Sequence, residues 1–234
     1  MPTRANALAV MAKAPVAGQV KTRLLPVLTP EEAAELSRAL LVDQLNHLSG
    51  LKSADLYLAF TPDDARASMA ELASAPFRLF AQEGDDLGAR MNGVFDWLRA
   101  QGHRNMVLIG GDLAPVPLRN LAEAFTALEV AGERVVLGPT RDGGYYLVGM
   151  NRSTPQIFDG MTWSHDRVLA QTTAKLSASK IEFHLLPTWF DIDTVDDLRR
   201  MKSQLPPDCA SAMKLTLEFL RRLGLDQRET RPES

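Results

Sequence analysis

The chain has 234 residues, 45% of them hydrophobic, with a formal net charge of -3 and an isoelectric point near 5.8. That length and apolar content predict one substantial core of a size routine for a single α/β domain. The acidic balance and the lack of a Lys/Arg stripe argue against nonspecific nucleic-acid binding, which needs a basic footprint. A lone cysteine, Cys209, excludes an internal disulfide and fits a reducing, cytoplasmic setting, and no apolar run is long enough for a membrane span.

The apolar run Ala7 to Met11 reads as a strand, and a cationic loop follows it directly. Arg4, Lys13, Lys21 and Arg23 are the only charged residues before Glu31. A positive loop in an acidic protein points to a compact anion. Gly18 lets the backbone turn, Thr22 offers a hydroxyl and the cations supply charge-assisted donors, so phosphate is the expected ligand. The loop is not a P-loop, because Gln19 and Val20 separate Gly18 from Lys21, and no dinucleotide-binding GxGxxG follows the strand. A solvated surface loop is the alternative reading.

Thr29-Pro-Glu-Glu32 carries a capping box with proline at the first helical position, which predicts a helix over 30–47. Strand and helix patterns then alternate: a strand over 54–60, a helix over 63–73, a short strand over 77–81. Leu87, Met91, Val94, Phe95 and Leu98 share a helical face, a buried-type strand spans 106–109, and Leu118, Leu121, Ala122, Phe125 and Leu128 make the next apolar face. Strands over 135–137 and 145–148, a helix near 166–176, a strand over 181–186 and helices near 195–203 and 210–223 complete the order. This alternation predicts three α/β/α layers around a mostly parallel sheet. Residues 1–206 are expected to form one domain, with a C-terminal helix and frayed tail over 207–234.

Ligands of open α/β sheets sit beyond the carboxyl ends of the strands, and carboxylates cluster there. Asp112 follows Gly110-Gly111, Asp142 follows the strand at 135–137, and Asp191 and Asp193 follow the strand ending near Leu186. Facing a phosphate loop, such carboxylates suit a divalent cation, Mg²⁺ or Mn²⁺, between them and the phosphates. Each has a plainer alternative: Asp193 as a helix cap with Thr194, Asp142 as a turn residue before Gly143-Gly144. The segment QEGDDLGARM over 82–91 opens a helix whose free N–H groups could meet an anion or a base, unless Asp85 or Asp86 caps it. Consecutive Tyr145 and Tyr146 point to opposite faces, so at most one lines a site. His47, His103, His165 and His184 show no metal-ligand spacing.

Taken together and in order, AKAPVAGQVKTRL, QEGDDLGARM, GGD, LGPTRDGGYYLVGM, TWSHDRVLAQT and FDIDTVDDL resemble the bacterial glycosyltransferase-like proteins of GT-A fold, a group related to nucleotidyltransferases and nucleotide-diphospho-sugar transferases. The resemblance spans roughly residues 8–198. It implies a nucleotide-diphospho-sugar transferase fold in which Lys13, Gly18, Lys21, Thr22 and Arg23 meet nucleotide phosphates. Gly84, Leu87, Gly88 and Arg90 would border the nucleotide, and Asp142, Gly143, Gly144 and Tyr145 the acceptor. Asp112 would hold the metal with Asp191 or Asp193, and catalytic roles would fall to Asp112, Lys21 and Arg23.

The chain departs from the resembled pattern at Ala17, Gln19, His165 and above all at Leu113-Ala114, where a small polar residue and a proline are usual. That change is expected to loosen the backbone that aims Asp112. Three functions follow: metal-dependent glycosyl transfer from a nucleotide-diphospho-sugar to a small acceptor, nucleotidyl transfer from a nucleoside triphosphate to a phosphorylated small molecule, or a catalytically silent nucleotide-binding protein. The expected partners are a nucleotide or nucleotide sugar and a small acceptor, with no nucleic acid and no membrane span. Base, sugar, acceptor and oligomeric state stay open.

Overall fold

The computed structural model describes residues 4–225 apart from residues 74, 153, 154, 164 and 190. The expected frayed tail, residues 226–234, and Ser164 and Phe190 of the motifs above fall outside the described residues. Seven strands form one sheet: β1 (Asn6–Lys13), β2 (Asp55–Thr61), β3 (Arg78–Ala81), β4 (Asn105–Gly110), β5 (Arg134–Pro139), β6 (Tyr145–Met150) and β7 (Glu182–Leu185), in the spatial order β3-β2-β1-β4-β6-β5-β7. Every neighbouring pair is parallel except those of β6, which runs antiparallel to both β4 and β5. The connection explains the exception. Only the turn around Asp142-Gly143-Gly144 joins β5 to β6, and a parallel return would need a crossover of a dozen or more residues.

The helices are α1 (Pro30–Leu48), α2 (Arg66–Leu72), α3 (Leu87–Ala100), α4 (Leu118–Leu128), α5 (Val168–Ala178), α6 (Val195–Gln204), α7 (Pro207–Ala212) and α8 (Lys214–Arg222). Alternate residues of the central strands feed two cores. Leu8 and Val10 of β1 face one core with Leu36 and Leu40 of α1 and Leu121 of α4, while Ala7 and Ala9 face the other with Met91, Phe95 and Leu98 of α3 and Leu176 of α5. A central parallel sheet buried on both sides is therefore continuously apolar rather than alternating. The three-layer expectation holds.

Local signals set most boundaries. Thr29 and Glu32 form the predicted reciprocal capping box at the start of α1, and Asp86 caps α3 by accepting from the Ala89 N–H at 2.8 Å. Three helical details differ. Leu87, expected on the buried face of α3, is exposed. In α4 the buried face runs through Ala124 rather than Ala122, which is exposed. The helix expected over 210–223 is two helices, because Met213 leaves the helical region at φ -87°, ψ 46°. The buried carboxylate of Asp43 on α1 then accepts from the Leu215 and Thr216 N–H groups at 3.1 and 2.8 Å, capping α8 across the chain. Among the described residues no helix is long and apolar enough to cross a membrane.

Candidate active site

The carboxyl ends of β1, β2, β3 and β4 open onto a cavity of about 470 Å³. Its rim combines Lys13 at the end of β1 and Gln19 and Lys21 of the loop that follows with Gln82 after β3, Leu87 and Arg90 of α3, and Asp112 after β4. A smaller cavity of about 180 Å³, which shares no lining residue with it, is lined by Arg23, Arg141, Asp142, Asp191 and Asp193 among others. Lys21 joins the two cavities. Its ammonium donates to Asp193 Oδ1 at 2.9 Å, to Asp112 Oδ2 at 3.1 Å and to the main-chain oxygen of Asp112 at 3.1 Å.

Burial opposes the charge on Lys21, but the Asp112 and Asp193 carboxylates outweigh it and raise the ammonium's pKa. The charge of Lys21 in turn holds the Asp112 carboxyl below its usual range. Asp112 stays open to the cleft with 55% of its side chain exposed, whereas the Lys21 side chain is 2% exposed. Arg23, 62% exposed, reaches Asp193 Oδ2 at 3.6 Å and keeps donors free for a ligand.

The alternative readings of the carboxylates separate cleanly. Thr194 and Asp197 form the capping box of α6 by themselves, which leaves the Asp193 carboxylate to Lys21. Asp142 does build its turn, since its Oδ1 accepts from Thr140 Oγ1 and from the Gly144 N–H, and it also lines the smaller cavity. Asp191 pairs through its main chain with Leu113. Among the described residues no three His, Cys, Asp or Glu side chains are grouped closely enough to hold a metal ion alone; Asp112 and Asp193 both meet the Lys21 ammonium, and Asp191 stands beside them.

Asp191 is pushed up to about 6 by burial, then by the charges of Asp193, Asp142 and Asp112. The folded chain thus holds this proton more tightly than the unfolded chain does. Its stabilising contribution is complete below the ordinary value of 3.8 and is lost as the pH rises through about 6. Asp191→Asn is therefore expected to melt above the wild type at pH 7.5, with the gap closing below pH 5. Thermal unfolding at the two pH values checks this, and an equal gap at both would disprove it.

Several glycines of the expected site work through packing. Gly84, at φ +134°, leaves no room for a side chain, since a Cβ built on it would lie 2.7 Å from the main-chain carbon of Ala89 and the main-chain nitrogen of Arg90, and Arg90 Nε donates back to the Gly84 oxygen at 3.0 Å. Gly88 lies against Trp163 and Phe158. Gly143 is pressed on Asp166; Tyr145 packs against the α3–α5 core and Tyr146 against the opposite one, yet both line the cavity beyond β1, so the expectation that at most one would do so fails. Thr22 begins a short 3₁₀ turn ending at Leu24. Gly18, at φ +74°, has open space around it.

The loosening expected at Leu113-Ala114 does not occur. Leu113 pairs with Asp191, and the Ala114 oxygen accepts from Trp189 Nε1 at 3.2 Å, so packing anchors the strand end that aims Asp112. Sequence reasoning also missed two residues. Gln82 heads a quoted motif, yet only the fold shows its amide donating to the Ala59 oxygen at 2.7 Å at the cavity edge. Arg141 precedes a residue that was singled out, and lies with Arg23 in the smaller cavity.

This sheet order, with the cationic loop after β1 and the carboxylate after β4, defines a nucleotide-diphospho-sugar transferase-type α/β enzyme fold. A crystal structure of a "putative nucleotide-diphospho-sugar transferase" from Desulfovibrio desulfuricans G20 is similar over 94% of this chain and 99% of that one, at 28% identity and a TM-score of 0.81. Residues 44–165, just over half of the chain, match the family described as "uncharacterized protein conserved in bacteria", DUF2064, and the chain belongs to that family. Two more distant structures share the fold: a cytidylyltransferase from Leptospira borgpetersenii, at 14% identity and TM-score 0.59 over 98% of this chain and all of that one, and a 4-diphosphocytidyl-2C-methyl-D-erythritol synthase from Anaerococcus prevotii, at 9% and 0.54 over 85% and 96%.

Proposed function

We propose that the protein is a metal-dependent transferase that uses a nucleotide-activated donor and moves a glycosyl group from a nucleotide-diphospho-sugar to a small acceptor. The observation that carries this reading is that Asp112 Oδ2 and Asp193 Oδ1 come close enough at the mouth of the cavity beyond β1 to share a single positive group, which here is the Lys21 ammonium. Those hard oxygens fit Mg²⁺ or Mn²⁺, which bind through one or two carboxylates plus substrate phosphates. The bound metal would neutralise the diphosphate and stabilise it as a leaving group. Asp112 and Asp193 would hold it. Arg23, exposed beside them, would take up remaining phosphate charge, while the smaller cavity, with Asp142 and Arg141, would receive the acceptor. The Desulfovibrio relative supports the nucleotide-sugar part of this reading.

Nucleotidyl transfer is the second reading. It is favoured by a specific feature, the exposed Lys13 and Arg23 flanking Lys21, which suit the extra charge of a triphosphate. Thermal-shift titration with nucleoside triphosphates and nucleotide sugars, with and without Mg²⁺ or Mn²⁺, identifies the donor, because a ligand that binds only the folded state raises stability. Product analysis follows. Release of nucleoside diphosphate supports glycosyl transfer, pyrophosphate supports nucleotidyl transfer, and binding without product removes both. Arg23→Glu is expected to weaken binding of the best nucleotide by well over tenfold, on the order of 1.5–3 kcal/mol for a lost charged hydrogen bond. Unchanged affinity in a folded variant rules out the phosphate role.

A further inference from the structure

Lys21 stands where the proposed metal must go. An ammonium has three N–H donors, and those of Lys21 meet three oxygens: Asp193 Oδ1, Asp112 Oδ2 and Asp112 O. None is left for a phosphate. Two of the three acceptors are the carboxylates that would ligate the ion, and the lysine side chain is almost wholly buried against them.

The backbone is bent to make this contact. Lys21 is left-handed at φ 48°, ψ 37°. Among the described non-glycine residues only Lys180 shares a positive φ. Lys180 lies just past the end of α5, where a left-handed residue commonly closes a helix. No helix ends at Lys21, so its conformation is a local strain held by what the side chain reaches. A few residues earlier Gly18 is also left-handed, with open space around it, which gives the loop a place to turn.

We propose that Lys21 is a built-in counter-ion that keeps the metal site closed until nucleotide phosphates draw it away, so that the protein takes up its divalent cation with the nucleotide and not before. This rests on the metal-dependent reading above. A metal ion arriving alone would have to expel the ammonium from both carboxylates and leave it buried without acceptors, which is costly. It would also find only two carboxylates, since no third metal-binding side chain joins them among the described residues. A diphosphate removes both obstacles at once. Its oxygens accept from Lys21 and complete the shell of the metal.

Equilibrium dialysis of Mn²⁺ against the full chain, alone and with inorganic pyrophosphate, tests the proposal in wild type, Lys21→Met and Lys21→Gln. The glutamine variant keeps two uncharged N–H donors beside these oxygens, so it serves if the methionine variant fails to fold. Mn²⁺ alone is expected to bind the two variants about tenfold or more tightly than the wild type, and pyrophosphate is expected to promote uptake strongly in the wild type and weakly in the variants. Equal binding of Mn²⁺ alone by wild type and folded variants, with pyrophosphate-promoted uptake intact in the wild type, overturns the counter-ion role and leaves the metal reading standing. No protein-dependent Mn²⁺ uptake under any condition overturns both.

Discussion

Gly143→Ala is expected to destabilise the fold by about 3 kcal/mol or more, the sum expected for a left-handed non-glycine residue and an overpacked contact. Gly143 sits at φ +87°, and a Cβ built on it would lie 1.9 Å from the main-chain oxygen of Asp166. The neighbouring atom is backbone, so no side chain can turn aside to make room. The Gly143 oxygen also accepts from the Leu169 N–H at 2.9 Å, which ties the β5–β6 turn to the start of α5. Gly18→Ala is the control. Its φ of +74° carries a similar conformational cost, but nothing lies within 4 Å of the added atom, so about 1 kcal/mol is expected. Urea unfolding of both variants measures the difference. If they lie within about 0.5 kcal/mol of each other, the steric argument fails.

Asp112→Asn is expected to abolish the increment that Mg²⁺ or Mn²⁺ adds to nucleotide affinity and to lower product formation by about a hundredfold or more, since the amide keeps the shape of the ligand and loses the charge a hard cation requires. Metal-free nucleotide affinity is expected not to fall, because Arg23 and the exposed part of the loop are untouched and Lys21 loses one of the two carboxylates that compete with phosphate for it. Calorimetric titration with and without metal separates the two terms. A metal increment that survives in Asp112→Asn assigns the ion elsewhere and removes Asp112 from the metal site.

Much of the fold was legible because its causes are local. The capping box at Thr29 and Glu32 needs three residues of spacing, and the start of α1 follows from it. The strand-helix alternation places Lys21, Asp112 and Asp193 beyond strand ends, and the parallel sheet then places those ends on one edge. The antiparallel β6 was not read from the sequence, although the turn at Asp142-Gly143-Gly144 is too short for a crossover. The split between α7 and α8 was not either, because the cap of α8 comes from Asp43, about 170 residues away in sequence.

The sequence by itself determined the layered α/β architecture, the cationic loop after β1 and the set of carboxylates available to face it. These follow from periodicity, capping and turn chemistry, which act over a few residues. Only the tertiary structure decided what those charges touch. Lys21 meets Asp112 across 91 positions and Asp193 across 172, and a lysine read as a phosphate ligand proves to have its donors on carboxylates. Likewise Leu113-Ala114, expected to be loose, is anchored by Asp191 and Trp189, the latter 75 positions from Ala114 in sequence. Such pairings depend on which strands lie side by side, and no local spacing carries that information.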